Sequence, residues 1–133
     1  MVAQLCAIPT ELVVLYQLLS APRRCYTIQA LQKADSGSLT VREVARAIAV
    51  AETAGTSQLA TNSQYRNVYN ALTQTHLSKL AAEGIIEYDP DRKVIAAGAN
   101  LQTANRLLSL SWSLYRLQNN NHRDTPWREI RNG

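Results

Sequence analysis

The chain has 133 residues, enough for one ordinary domain with an appended helix, and this length argues against a multidomain enzyme. Its longest apolar runs are too short or too interrupted to cross a bilayer, which takes about 20 residues, so no transmembrane helix is expected. Fourteen Lys and Arg against ten Asp and Glu give a net charge of +4, and this basic balance favours a polyanionic partner such as nucleic acid.

The N-terminus lacks a basic leader followed by an apolar stretch, so we expect a cytoplasmic protein. Cys6 and Cys25 fall in predicted apolar faces without metal-ligand spacing. We expect both to be small buried hydrophobic residues, with no disulfide, no metal and no cofactor.

The first part of the chain predicts two short helices. Apolar residues repeat at helical spacing over residues 10–19, directly after Pro9. Ser20 is predicted to cap the second helix, which has Pro22 in its first turn and stops at residues 35–37.

Two capping boxes predict the next two helices. Thr40 with Glu43 opens a third, amphipathic helix that ends near residue 52, after a very short strand at residues 38–39. Thr61 with Gln64 opens a long fourth helix that runs to residue 83.

A β-hairpin follows the fourth helix. Gly84 follows the predicted end of the fourth helix, where a residue in the left-handed conformation is common. Residues 85–88 and 93–97 are typical of strands around a type I turn at residues 89–92. Asn100 is then predicted to cap a fifth helix with a wide apolar stripe.

The order of these elements predicts a mainly α fold with a small β-hairpin, that is, a winged helix-turn-helix. We expect this DNA-binding domain to cover residues 1–98, with a C-terminal helix over residues 99–118 and a flexible polar tail over residues 119–133. In a winged helix the third and fourth helices form the helix-turn-helix pair, the fourth enters the major groove and the hairpin is the wing.

The two sides of the fourth helix differ in chemistry. One side is apolar and is predicted to face the core: Tyr65, Val68, Tyr69, Leu72, His76 and Leu80. The other side carries amides, hydroxyls and a guanidinium: Asn67, Asn70, Gln74 and Ser78, flanked by Arg66 and Thr73. Asn and Gln can bind adenine bidentately and Arg can bind guanine, which predicts a base-reading surface. The alternative is an exposed polar helix that binds nothing.

Several cations are placed where they could contact phosphates. Arg42 and Arg46 lie on the exposed side of the third helix, and Arg92 and Lys93 lie at the tip of the hairpin. The acidic residues in the same turn weaken the prediction that the wing contacts phosphates. Two basic residues that open the second helix, at positions 23 and 24, are disfavoured there by the helix dipole and suggest a partner outside that helix.

The fifth helix carries leucines at the three-and-four spacing of a coiled-coil seam. Its predicted dimerisation surface comprises Leu101, Leu107, Leu108, Leu110, Leu114, Tyr115 and Leu117. The alternative is that the helix folds back on its own domain in a monomer. We expect the tail cations Arg123, Arg128 and Arg131 to be solvated rather than bound to phosphate.

Two blocks of the sequence resemble a family of small archaeal winged-helix proteins of unknown function, common in haloarchaea and their mobile elements. They are LLSAPRRCYTIQAL with TVREVARAIAVAE, and YRNVYNALTQTHLSKLAAEGIIEYDPDRKVI. In the second block, TQTHL, KL and GIIEYD resemble the recognition helix of that family running into its wing. The resemblance covers residues 10–95 and implies DNA binding by the face from Asn67 to Ser78. The basic charge and the long apolar C-terminal helix depart from the family pattern, and a virus, plasmid or other mobile element would suit such a compact regulator.

The sequence therefore predicts a sequence-specific, double-stranded DNA-binding transcriptional regulator that binds a palindromic operator as a homodimer. We expect no enzymatic activity, because neither histidine has a metal or triad partner by spacing and no phosphate-binding glycine loop is present. The alternative function is a winged-helix protein–protein interaction module without specific DNA recognition.

Overall fold

A computed structural model describes residues 4–54, 56 and 59–121. The helices and strands follow one another in this order: α1 Thr10–Leu18, α2 Pro22–Lys33, β1 Ser38–Thr40, α3 Val41–Thr53, α4 Asn62–Ala71, a π-helical turn Leu72–His76, α5 Leu77–Ala82, β2 Ile86–Asp89, β3 Val94–Ala97 and α6 Leu101–Asn121. Because α4, the π turn and α5 run on without a break, we call them together the α4–α5 helix. The predicted tail arginines at 123, 128 and 131 lie outside the described residues.

The three strands form one small antiparallel sheet in the order β1-β3-β2. In its register Thr40 lies opposite Val94, and Tyr88 lies opposite Ile95. The architecture is thus mainly helical with a three-stranded sheet, which is winged-helix-like and confirms the predicted fold class. The short strand before the third helix belongs to the same sheet as the hairpin.

The two capping boxes behave differently. Thr61 accepts a hydrogen bond from the backbone N–H of Gln64, and the Gln64 side chain accepts one from the backbone N–H of Thr61 at 2.9 Å, so this box is complete. Thr40 also accepts from the backbone N–H of Glu43, at 3.1 Å, but the Glu43 carboxylate accepts from the Thr40 hydroxyl. Each arrangement satisfies a backbone N–H that a helix start leaves free.

The hydrophobic core lies between the helices and the sheet. Its fully buried side chains come from α2, α3, the α4–α5 helix, the sheet and the first turn of α6; the largest are Ile28, Ile48, Leu72, Leu77, Leu80, Ile85, Ile86 and Ile95. Since the first turn of α6 contributes Leu101 and Ala104 to this core, α6 begins as part of the domain that precedes it.

Two glycines fix the connection from the helices to the sheet. Gly84 has φ +71°, the left-handed conformation expected at the end of the fourth helix. Gly98 lies so close to the chain after α5 that an added Cβ would stand 2.3 Å from the carbonyl oxygen of Gly84. Its own N–H donates to the carbonyl oxygen of Ile85, so the entry to α6 is held directly against the start of the hairpin.

Some local predictions were wrong. Ser20 does not cap α2: the N-cap is Ala21, and the Ser20 hydroxyl donates to the carbonyl oxygen of Gln17 at the end of α1. Cys6 is exposed rather than buried, and Cys25 is half-buried. Asn100 does precede α6, and its amide nitrogen donates to the carbonyl oxygen of Glu83, so it ties α6 to the end of α5.

The π turn is a departure from the regular spacing on which the sequence prediction rested. Leu72 and Leu77 are both fully buried although they are five positions apart, and a turn with i→i+5 hydrogen bonds places such a pair on one side. His76, which regular spacing placed in the core, is therefore moved to its edge and is half-buried. The Thr73 hydroxyl donates to the carbonyl oxygens of Tyr69 and Asn70 at this point, a contact that bends helices.

The helix α6 changes character along its length. Leu107 and Leu108 are half-buried, whereas Leu110, Leu114 and Leu117 are about 60% exposed, at 59%, 58% and 61%. The second half of α6 therefore projects past the domain. In the part of the chain that the structure describes, no helix is long and apolar enough to cross a membrane.

Candidate nucleic-acid interface

The predicted base-reading face of the α4–α5 helix is on the surface. Its residues Arg66, Asn67, Asn70, Gln74 and Ser78 are exposed, and Thr73 is half-buried. The opposite side faces the core through Val68, Leu72 and Leu80. Burial thus separates an amide-rich side from an apolar side as the sequence pattern indicated.

The first half of this face is held by an arginine from another helix. Arg23, in the first turn of α2, donates two hydrogen bonds to the carboxylate of Glu52, from Nε at 2.8 Å and Nη2 at 3.1 Å. Its third nitrogen, Nη1, donates to the Oδ1 atom of Asn67 at 3.1 Å. We call these three residues the Arg23 clamp; it joins the start of α2 and the end of α3 to α4.

The clamp changes the expected chemistry of Asn67. Because Arg23 already occupies its carbonyl oxygen, the amide nitrogen is the group that Asn67 chiefly offers outward. An amide N–H donor suits an acceptor such as a phosphate oxygen, guanine O6 or N7, or thymine O4. Asn67 is thus less suited to bidentate adenine binding than the sequence suggested, and Asn70 becomes the first candidate for that role.

The partners of the two arginines that open α2 lie within the chain. The ion pair with Glu52 raises the pKa of Arg23, chiefly through the hydrogen bond between the two side chains. Arg24 is buried, and its Nε and Nη2 atoms donate to the carbonyl oxygens of Leu18 and Gln17 at 2.7 and 3.3 Å. It thereby caps the C-terminus of α1, where a cation interacts favourably with the helix dipole.

The exposed side of α3 carries two further arginines of the predicted site. Arg42 and Arg46 are both exposed and stand one turn apart. The Arg46 guanidinium lies over the ring of Tyr65, 4.6 Å from its centroid, which fixes it beside the first turn of α4. Since Tyr65 packs against the core, Arg46 lies at the edge of the apolar side of this helix and not among the amides.

The hairpin meets the other end of α3. The backbone N–H of Val41 donates to the carbonyl oxygen of Lys93 at 2.9 Å, so Arg42 lies beside the end of the hairpin turn. Lys93 itself is half-buried with φ +56°. In the same turn the Asp89 carboxylate accepts from the backbone N–H groups of Asp91 and Arg92, so this acid shapes the turn. Arg92 is exposed.

The hydroxyls of the face are partly engaged. Ser78 donates to the carbonyl oxygen of Thr75 at 3.2 Å, and Thr73 donates to two carbonyl oxygens of its own helix. Both hydroxyls can still accept hydrogen bonds, but their protons are committed to the backbone. The amides and the arginines are accordingly the strongest candidates for contacts outside the protein.

His76 lies behind this surface in an electropositive setting. Its Nδ1 atom is buried without a hydrogen-bond partner. Burial lowers its pKa, and the nearby charges of Arg24, Arg23 and Lys79 lower it further. A neutral imidazole at the core edge is consistent with a structural role. Among the described residues, no group of three or more His, Cys, Asp or Glu side chains is arranged to hold a metal ion.

The sequence prediction missed the Arg23 clamp and the π turn. The signal for the clamp was present, because two cations at a helix start are unfavourable unless something outside the helix holds them. The signal for the π turn was the five-residue spacing from Leu72 to Leu77, which the regular helical pattern passes over.

Comparison with known proteins identifies one family. Searches of curated proteins and of solved structures each gave no match. A family model described as "Domain of unknown function (DUF7344)" matches residues 16–96, which extend from within α1 to β3 and leave out α6. The match includes the α4–α5 helix and the hairpin and covers more than half of the chain. The protein therefore belongs to the DUF7344 family, whose function is unknown.

Proposed function

We propose that the protein is a sequence-specific, double-stranded DNA-binding transcriptional regulator that acts as a homodimer in the cytoplasm. The observation that carries this proposal is the exposed face of the α4–α5 helix, where amides stand beside Arg66 of the same helix and Arg23 of α2 on a winged-helix-like scaffold. A solvated helix of no further role more often carries Glu and Lys on that side.

The proposal assigns the exposed side chains to two kinds of DNA contact. Asn70, Gln74 and Arg66 would contact base edges in the major groove, and Asn67 would donate to an acceptor beside them. Arg42, Arg46 and Arg92 would contact phosphates, which set affinity and register but not sequence preference. Lys93 stays in the proposed contact set as a minor member because it is half-buried.

A source in an archaeon, or in a virus or plasmid, is part of this proposal. Its support is the resemblance of the residue blocks 18–31, 40–52 and 65–95, all of which fall inside the matched range.

The experiment is a titration of labelled duplexes at two salt concentrations. A preferred duplex is first enriched from a randomised pool, and the region upstream of the protein's own gene is tested beside it. We compare the wild type with an Asn67→Ala, Asn70→Ala variant. The matched control is Gln29→Ala, Gln32→Ala, which removes two exposed amides from α2.

We expect the recognition variant to lose at least roughly tenfold in affinity for the preferred duplex, because each good base contact contributes about 1–3 kcal/mol of discrimination. The control variant should bind as the wild type does. Arg42→Ala and Arg92→Ala should instead weaken binding to all duplexes and reduce the salt slope by about one each. Equal, weak binding of the wild type to every duplex would refute specific recognition.

The alternative function is a protein–protein interaction module. One observation favours it: the second half of α6 exposes leucines that a monomeric regulator would not need. It predicts that the wild type shows no duplex preference at low salt, whereas a protein partner requires those leucines.

A further inference from the structure

The helix α6 has an apolar side that its own domain cannot cover. Leu101 and Ala104 enter the core. At about 100° per residue, Leu110, Leu114 and Leu117 lie largely on the opposite side of the helix. Trp112 and Tyr115 are also exposed and stack on each other, with ring centroids 5.9 Å apart. An amphipathic helix that is apolar on two sides needs a second neighbour.

A groove elsewhere on the domain offers complementary apolar walls. It has a volume of about 510 Å³ and lies between α1, the end of α5 and the first turn of α6. Its lining residues are mostly apolar, and they include Leu12, Leu15 and Ile85. Two carboxylates, Glu11 and Glu83, also line the groove, whereas no Lys or Arg does.

Charge makes α6 of another molecule the matching occupant. The charged residues of α6 are Arg106 and Arg116, both exposed, and the helix contains no Asp or Glu. Arg106 stands one turn before Leu110 on the leucine side, so the leucines would meet the apolar walls while Arg106 would meet Glu11 and Glu83.

We propose that the groove between α1 and α6 is the docking site for the leucine side of α6, from Arg106 to Leu117, of a second copy of this chain. The exchange is reciprocal, so each copy contributes one groove and one helix, as two-fold symmetry requires. This inference rests on the homodimer of the proposed function and deepens it, because it gives α1 a role in the interface. Leu101, which was predicted to belong to the dimer surface, lies in the core. In the proposed interface the groove residues take its place.

The experiment measures the oligomeric state of the full-length chain by sedimentation velocity, without DNA, over a range of concentrations. Leu114→Glu places a charge on the exposed leucine side of α6. Ser109→Glu is the matched control, because it adds the same charge at an exposed polar position of the same helix. We expect the wild type and Ser109→Glu to be dimeric and Leu114→Glu to be monomeric, with unchanged circular dichroism.

Reversed charges then test the groove itself. One variant carries Glu11→Arg and Glu83→Arg, and the other carries Arg106→Glu. Each alone should dimerise at least roughly tenfold more weakly, since like charges across an interface are strongly unfavourable. Mixing the two should restore dimers, because each helix then meets a groove of the opposite charge.

Each other outcome overturns the inference. A wild type that stays monomeric at its highest soluble concentration refutes it. A dimer that Leu114→Glu dissociates but the groove reversals leave unchanged shows that α6 pairs with α6 alone, so the groove assignment is wrong. The duplex titration is independent of both results: a dimer that shows no duplex preference refutes the proposed regulator and leaves the docking site standing.

Discussion

The α4–α5 helix and α6 are both long helices with one side in the core, but their exposed sides have opposite chemistry. The exposed side of the first carries amides and an arginine, and one of the amides, Asn67, accepts a hydrogen bond from Arg23 of α2. The exposed side of the second carries leucines and two stacked aromatic rings. The difference teaches that exposure by itself does not identify a functional surface, because a polar face and an apolar face call for different partners.

The largest expected effect is the difference in the free energy of unfolding between truncating a buried leucine and truncating an exposed one. Leu72→Ala in the π turn should lower the free energy of unfolding by about 2–5 kcal/mol, because it leaves a cavity in the core. Leu110→Ala should change it by no more than about 0.5 kcal/mol in dilute solution, where α6 has no second neighbour. Urea denaturation of both variants measures the change in the free energy of unfolding. Similar losses in the two would mean that the second half of α6 packs on its own domain.

A smaller effect tests how the α4–α5 helix begins. Thr61→Ala removes the side chain that accepts from the backbone N–H of Gln64, and should cost about 1 kcal/mol in the free energy of unfolding. Ser63→Ala, an exposed position in the same first turn, is the control and should cost almost nothing. The two urea midpoints are compared at one protein concentration. Equal midpoints would show that the capping box does not stabilise this helix.

The smallest effect comes from His76 and depends on pH. Burial, and then the charges of Arg24, Arg23 and Lys79, lower its pKa in the folded state, so the unfolded chain binds the proton first as the pH falls. The free energy of unfolding should therefore be highest above the ordinary histidine pKa of about 6.5 and decrease below it.

A variant isolates this contribution from those of other titrating groups. His76→Asn should lose less stability than the wild type between about pH 7.5 and about pH 5.5, on either side of the unfolded pKa. Urea titrations of both proteins at each pH measure the difference. Parallel losses would show that His76 is not the group responsible.

Much of the fold could be predicted from local patterns. The capping residues Thr40 and Thr61, the left-handed Gly84 and the alternation in the hairpin each act within a few residues, so the sequence carries them directly. Ser20 does not cap α2 because the N-cap position is one residue later, at Ala21, and the Ser20 hydroxyl donates to the carbonyl oxygen of Gln17 at the end of α1. Which of two neighbouring residues takes the N-cap position is decided by the path of the backbone, which a residue pattern does not contain.

The candidate site was predictable only in part. Helical spacing was enough to place Asn67, Asn70 and Gln74 on the exposed side, because the opposite side is apolar. The hydrogen bonds of each side chain were not predictable, since the carbonyl oxygen of Asn67 accepts from Arg23, which lies 44 residues away in sequence. Contacts of this kind require that α2, α3 and α4 first pack together.

From residue patterns alone one can therefore derive the order and type of the helices and strands, the capped starts of α3 and α4, the apolar sides, and a mainly helical domain with a small hairpin. These follow from the period of apolar residues and from short-range capping. Only the tertiary structure decided that Arg23 clamps Asn67, that a π turn moves His76 out of the core, and that α6 is half core and half projecting. These features depend on contacts between distant segments and on the volume that the core has to fill, and both exist only in the packed chain.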